Sequence, residues 1–402
     1  MINELFDLLA AKISYSSSCY LNHQGIGLSL NGLQRMSSDN PGTLVILSAL
    51  IPLLEESSDA LNDKCVGMAV MGLRNMKNDN PQVQQLVSIL TSKIKKSTTP
   101  LKHSSFSSAM YGLRSLSDSD PIVAKLLEAL CSKLPDDKDE HMTPATVAHC
   151  LAGLQSMGGN QAITRDLLTY FNSKLVVNED NVYKIAWLSR SFQGLQGVLP
   201  TIDSNPDVKA LVNKLTAGLE SLQMTNEAVS MDDVGFLLYS FHNCTNESDD
   251  VNRVLTAVTR LLRPENKPRS LGLASPKAVS MCMYGLKCMS SNEVVCKLLG
   301  ALRPRVGILD AQSVGNILFG MQRLTSTAPQ VCAFIDTITP KIAQVNAKLS
   351  GQEIANSFYG LQNFDSVSVE VNKLLKVPRH SLTHSLTHSL TLLGVGSQAR
   401  GE

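Results

Sequence analysis

Apolar residues recur along this chain in steps of four, three and three, and the whole pattern returns about every forty residues. The phrases NGLQRM, MGLRNM, YGLRSL, AGLQSM, QGLQGV, YSFHNC, YGLKCM, FGMQRL and YGLQNF stand once each in that order. Eight of them carry a glycine at the same place: Gly32, Gly72, Gly112, Gly153, Gly194, Gly285, Gly320 and Gly360, with Ser240 in the sixth. Numbering each unit from this anchor, positions −6, −2, +1 and +4 are apolar throughout, from Ile26, Leu30, Leu33 and Met36 to Ile354, Phe358, Leu361 and Phe364. Position −5 is always Gly, Ser or Ala. Such steps follow one face of an α-helix, so each unit is predicted to open with an amphipathic helix of three to four turns, running through +4.

A second helix follows in each unit. Asn40-Pro41, Asn80-Pro81, Asp120-Pro121 and Asn205-Pro206 combine a side chain that accepts an unpaired N–H with a residue that lacks one, which is how helices start. These second helices often close on a cation (Lys93, Lys133, Lys174, Lys341), favoured by the negative end of the helix dipole. Helix pairs of this size cannot bury an apolar face alone, so they must stack on their neighbours. The expected fold is therefore all-α: an α-solenoid of about nine helix–loop–helix units over residues 22–378. Residues 1–21 read as a half-repeat or capping helix, and 379–402 as a low-complexity tail with a thrice-repeated His-Ser-Leu-Thr.

On a helical wheel the anchor and position −5 fall on opposite flanks of the first helix, where small residues would let neighbouring backbones approach. The eight anchor glycines are accordingly expected to be packing residues, because a glycine inside a helix costs about 1 kcal/mol against alanine. Position +2 (Gln34, Arg74, Arg114, Gln155, Gln196, His242, Lys287, Gln322, Gln362) is polar in every unit and never acidic. It could form a ladder of hydrogen bonds between repeats, or a ladder of donors for phosphates and base edges. The face away from the core varies instead: Tyr111, Tyr239, Tyr284, Phe319 and Tyr359 at −1; His149, Arg190, Asn316 and Asn356 at −4; Arg35, Asn75, Asn243, Arg323 and Asn363 at +3. This is the candidate ligand-binding face. Aromatics beside Asn and Arg suit nucleobases, and they equally suit protein interfaces or packing between repeats.

Val-Gly-Asn-Ile-Leu-Phe-Gly-Met (314–321) and Ile-Ala-Asn-Ser-Phe-Tyr-Gly-Leu (354–361) resemble the A-N-x-L-W-A-L core of octotricopeptide repeats and, more distantly, the helical repeats of FAST-kinase-type proteins. The resemblance spans the repeats from about residue 22 to 378. It implies helix-pair solenoids that bind organellar RNA. Here Tyr or Phe stands for the Trp, Gly stands for the small Ala, and the spacing is nearer forty.

Composition narrows the classes further. With 36 Lys+Arg against 35 Asp+Glu, the chain is neutral and does not bind nucleic acid by bulk charge. Nine cysteines without a C-x-x-C pair read as reduced thiols of an intracellular protein, in the cytoplasm or an organelle, since no targeting signal is visible. No apolar run is long enough for a membrane span. No phosphate-binding loop, nucleophile elbow or metalloprotease motif is present, so neither an enzyme, a cofactor nor a small-molecule substrate is expected. His380, His384 and His388 are spaced to share one side of a helix as zinc ligands would, but a slipped repeat accounts for them. Two readings remain: a monomeric solenoid binding single-stranded RNA along a concave face, or a protein–protein scaffold of the armadillo or HEAT kind.

Overall fold

The computed structural model describes residues 2–15, 20–134, 141–158, 161–176, 183–222, 229–262, 272–365 and 367–376. The chain opens on α1 (Ile2–Tyr15), and helix pairs follow. The first pairs are α2 (His23–Gly32) with α3 (Pro41–Glu56), α4 (Asp63–Met71) with α5 (Pro81–Lys96), and α6 (His103–Gly112) with α7 (Pro121–Cys131). Next come α8 (Pro144–Ala152) with α9 (Ala162–Lys174), α10 (Ile185–Leu195) with α11 (Pro206–Leu222), and α12 (Met231–Tyr239) with α13 (Asp249–Leu262). The last are α14 (Pro276–Gly285) with α15 (Glu293–Leu302), α16 (Ala311–Gly320) with α17 (Pro329–Ala343), and α18 (Gly351–Gly360) with α19 (Val369–Leu375). Among the described residues there is no strand, only an isolated bridge between Ala274 and Val306. No helix among them is long and apolar enough to cross a membrane. The histidines 380, 384 and 388 lie outside the described residues.

The chain divides into two compact units, Met1–Tyr183 with Arg190–Gly218, and Lys184–Ser189 with Leu219–Glu402. In the first, α2, α4, α6 and α8 pack in sequence order as one layer and α1, α3, α5, α7 and α9 as another. In the second, α12, α14, α16 and α18 form one row and α13, α15, α17 and α19 the other. Each unit is thus a helical-repeat stack, an α-solenoid in which helix pairs bury their apolar faces against the next pair. Phe106, Phe171, Phe241 and Phe334 are among the fully buried side chains that fill the space between the two layers.

Local chemistry sets the helix starts. The side chains of Asn40, Asn80 and Asp120 accept the N–H of Gly42, Gln82 and Ile122, each with Pro at the first helical position. The ends of the first helices differ from the sequence expectation. They stop within one residue of the anchor, and the chain continues in tight turns: Leu113 N–H donates to Met110 O at 2.9 Å and Leu116 N–H to Leu113 O at 2.9 Å. Leu73 with Met76 and Leu286 with Met289 close equivalent turns. The +1 and +4 side chains still enter the core, now from turns with i→i+3 bonding rather than a continued α-helix.

The anchor glycines show why the helices approach so closely. A Cβ on Gly72, Gly112, Gly153 or Gly194 in the first unit would fall within 3.0 Å of the backbone carbonyl oxygen of the −2 residue one repeat earlier (Leu30, Val70, Met110, Leu151). Gly285, Gly320 and Gly360 stand the same way against Leu238, Met283 and Leu318 in the second. Gly32 differs: a Cβ there meets nothing within 4 Å, so the close approach expected at this position is not made in this chain. Ser240 is buried and donates its hydroxyl to Phe236 O at 2.9 Å. The small −5 residues face the following repeat, Gly67 against the Ser105 backbone and Gly315 against that of Glu353.

Two further sets of bonds tie the repeats. At position +6 a side-chain oxygen accepts a backbone N–H of the next repeat: Ser38 from Lys77 at 2.9 Å, Asn78 from Ser117 at 3.2 Å and Asp118 from Gly158 at 3.1 Å. In the second unit Asn246 accepts from Ser290 at 3.0 Å, Ser291 from Thr325 at 2.9 Å and Ser326 from Asp365 at 3.0 Å. In the other layer, Lys93 and Lys133 donate to the Ser57 and Ser97 carbonyls at 2.6 Å each, and Lys214 to Asn172 O at 2.6 Å. These lysines serve the carbonyl ends of the preceding second helix, which would otherwise stay unpaired. Asp118 is 1% exposed and also accepts from the buried Thr164 hydroxyl at 2.8 Å. Asp118→Ala leaves both donors without a partner and is expected to lower stability by about 1–3 kcal/mol, read from urea denaturation midpoints; Asp118→Asn should recover part of the loss.

The eight cysteines among the described residues form no disulfide. Burial pushes Cys131 and Cys282 up to about 12, so these thiols stay protonated and poorly nucleophilic.

Candidate functional site

The short length of the first helices decides which side chains share a surface. Positions −4 and −1 lie on the last helical turn, and +2 lies on the turn that follows. In the first unit these three rows meet around Tyr111 of α6. The guanidinium carbon of Arg74 sits 4.7 Å from the ring centroid, that of Arg114 5.5 Å and that of Arg190 5.9 Å. The His149 ring meets Tyr111 edge-on at 5.4 Å between centroids. Arg114 also donates to the Tyr111 hydroxyl at 3.2 Å and to Gln155 Oε1 at 3.0 Å. Four consecutive repeats therefore each bring a polar group to one phenol ring.

The protonation of His149 follows from its neighbours. Nδ1 lies 3.0 Å from the Ala145 carbonyl oxygen, which can only accept, so Nδ1 carries the hydrogen. Nε2 lies 2.9 Å from an Arg190 nitrogen, which can only donate, so Nε2 accepts. Burial and then the Arg190 charge both hold the imidazole below its ordinary pKa, against the Ala145 bond, which raises it. His149 is neutral here. Protonation would cost it the Arg190 bond.

In the second unit the −1 rings stack on one another. Tyr239 and Tyr284 lie 5.4 Å apart with planes at 23°, Tyr284 and Phe319 5.5 Å at 24°, and Phe319 and Tyr359 5.7 Å at 25°. His242 stacks on Tyr239 at 5.0 Å and 27°, with its Nδ1 2.9 Å from the Tyr239 carbonyl oxygen. Lys287 lies 4.8 Å over the Tyr284 ring. Aromatic pairs in such offset stacks gain about 0.5–1.5 kcal/mol beyond area burial. The ring faces cover each other, which leaves no gap for a base between them. The row presents edges and hydroxyls, and Tyr359 at its end is 53% exposed. Asn316 and Asn356 are half-buried beside it.

Position +3, expected on the ligand-binding face, ties neighbouring repeats, and position +2 does so at Arg114 with Gln155. The +3 side chains make the bonds between repeats: Asn75 to Gln34 O at 3.2 Å, Ser115 to Arg74 O at 2.8 Å, Ser156 to Arg114 O at 2.7 Å, Arg323 to Cys288 O at 3.3 Å and Asn363 to Gln322 O at 2.6 Å. Asn75, Arg323 and Asn363 thus spend a donor on the preceding repeat's helix end. Arg35 and Asn243 are exposed. In the +2 row Arg74, Arg114, His242 and Lys287 join the rings, and Gln34, Gln196 and Gln322 are half-buried, with Gln362 exposed.

Asp and Glu make up 35 of the 402 residues, yet none occupies position −4, −1, +2 or +3 in any of the nine repeats. Arg35, Arg74, Arg114, Arg190, Lys287 and Arg323 do. The overall neutrality therefore hides a face that is cationic in both units. No protein-family model matches the chain, and no curated protein matches it in sequence.

Proposed function

We propose that the chain is a non-catalytic helical-repeat protein that binds single-stranded RNA along the outer face of its first helices. The observation that carries this reading is the absence of carboxylates from rows −4, −1, +2 and +3: guanidinium, ammonium and amide groups recur there at repeat spacing, beside aromatic rings. A polyanion gains from such a surface by releasing counterions, while acids elsewhere on the protein keep the net charge near zero. Arg forks hold phosphates in a defined geometry, and the amides beside the ring edges can meet base edges of an unpaired strand. The resemblance to octotricopeptide repeats points to the same ligand class.

The test is a fluorescence-anisotropy titration of the full chain with a mixed-sequence single-stranded RNA at about 50 and 200 mM salt. Binding that weakens at the higher salt, and that duplex RNA competes for poorly, supports the reading. Absence of binding at the lower salt overturns it. A second reading draws on the ring stack of the second unit, between whose rings no base fits: a scaffold whose ring edges and cations receive an acidic protein segment. It gains ground if RNA fails to bind.

A further inference from the structure

The groups about Tyr111 do more than decorate a basic face. Arg74, Arg114 and Arg190 come from three different repeats and converge on one ring, with none in an ion pair among the described residues. Like charges gathered this closely repel one another, and the π-face of a single phenol offsets only part of that repulsion. Their donors are also underused. Arg114 serves Tyr111 and Gln155, Arg190 gives one nitrogen to His149, and the buried Nε of Arg74 has no hydrogen-bond partner among the described residues. Arginine carries five N–H donors, so most of those in the cluster remain for a ligand.

We infer that Arg74, Arg114 and Arg190, held about Tyr111 beside His149, form a phosphate-binding site. This deepens the RNA reading, on which it rests for its natural occupant, a backbone phosphate of the strand. The ligand chemistry is a tetrahedral oxyanion, which guanidinium forks hold by paired hydrogen bonds.

His149 makes the site sensitive to pH. The charged groups around it are Arg190 on α10 and, across the Tyr111 ring, Arg74 and Arg114; no carboxylate hydrogen-bonds or pairs with any of them among the described residues. A phosphate bound among the arginines would favour the imidazolium by bringing an opposite charge near it. By linkage, protonation of His149 must in turn strengthen phosphate binding, releasing the Arg190 nitrogen and adding a cation. Affinity should therefore rise as pH falls through the His149 midpoint.

The experiment is a pH titration of the imidazole resonances of the full chain by NMR, in inorganic phosphate and in chloride of equal ionic strength. The His149 midpoint is expected to rise by roughly one pH unit in phosphate. The His242 midpoint should stay fixed, and the rise should vanish in Arg74→Gln with Arg190→Gln, a pair checked for folding by far-UV circular dichroism. A His149 midpoint that does not move overturns the site, whatever the RNA result. A phosphate-dependent rise without any RNA binding keeps the anion site and removes the strand as its occupant.

Discussion

Gly112→Leu is expected to separate α4 from α6 and to lower the stability of the first unit by about 3 kcal/mol or more. The cause is local. A Cβ at 112 collides with Val70 O, Val70 C and Met71 Cα, all backbone atoms of the neighbouring first helix that no rotamer change can move. Overpacking of this kind typically costs about 1–3 kcal/mol for extra methylene groups, and here the clash begins at the first carbon. Gly112→Ala should therefore already destabilise, although alanine is the better helix former by about 1 kcal/mol. Gly32 supplies the internal control. It holds the same place in its repeat but faces open space, so Gly32→Ala should change the thermal midpoint little. Equal effects of alanine at 32 and 112 would mean that the close approach is not what the glycine serves.

Charge reversal on the ligand face is expected to produce the other large effect. Arg114→Glu with Arg190→Glu places two carboxylates where a polyanion would lie. Like-charge juxtaposition costs several kcal/mol, so RNA affinity should fall about a hundredfold at about 50 mM salt. Lys95→Glu with Lys96→Glu, exposed at the end of α5 in the other layer, makes the same change in net charge and should alter affinity far less. Similar losses in both pairs would assign binding to overall charge and count against a defined face.

The repeat was legible in the sequence because packing repeats. Positions −6, −5, −2 and most of the anchor glycines meet the same kind of neighbour from unit to unit, so the same residue types return. What escaped has two physical causes. A helical wheel advances 100° per residue only while the α-helix lasts, and these helices end within one residue of the anchor. Extending the wheel through the following turn placed +2 on the flank and +3 on the outer face, whereas the tighter i→i+3 turn sends Asn75 and Asn363 to the preceding carbonyls and Arg74 and Arg114 to the rings. The +6 ties escaped because their partner is a backbone N–H, which every residue type but proline offers. Ser38, Asn78 and Asp118 therefore look like ordinary loop polarity until the next repeat is laid beside them. The carboxylate-free face could have been found by counting acids row by row, since each row was already aligned.

The stacked rings also give the protein an optical signature. Near-ultraviolet circular dichroism arises from aromatic side chains held in fixed surroundings and disappears when packing loosens. Tyr239, Tyr284 and Tyr359 are held in one column with Phe319 between the last two, while in the first unit Phe106 meets Tyr170 edge-on at 76°. Loosening of that column should therefore be followed in the near-ultraviolet, while far-ultraviolet light reports on helices everywhere.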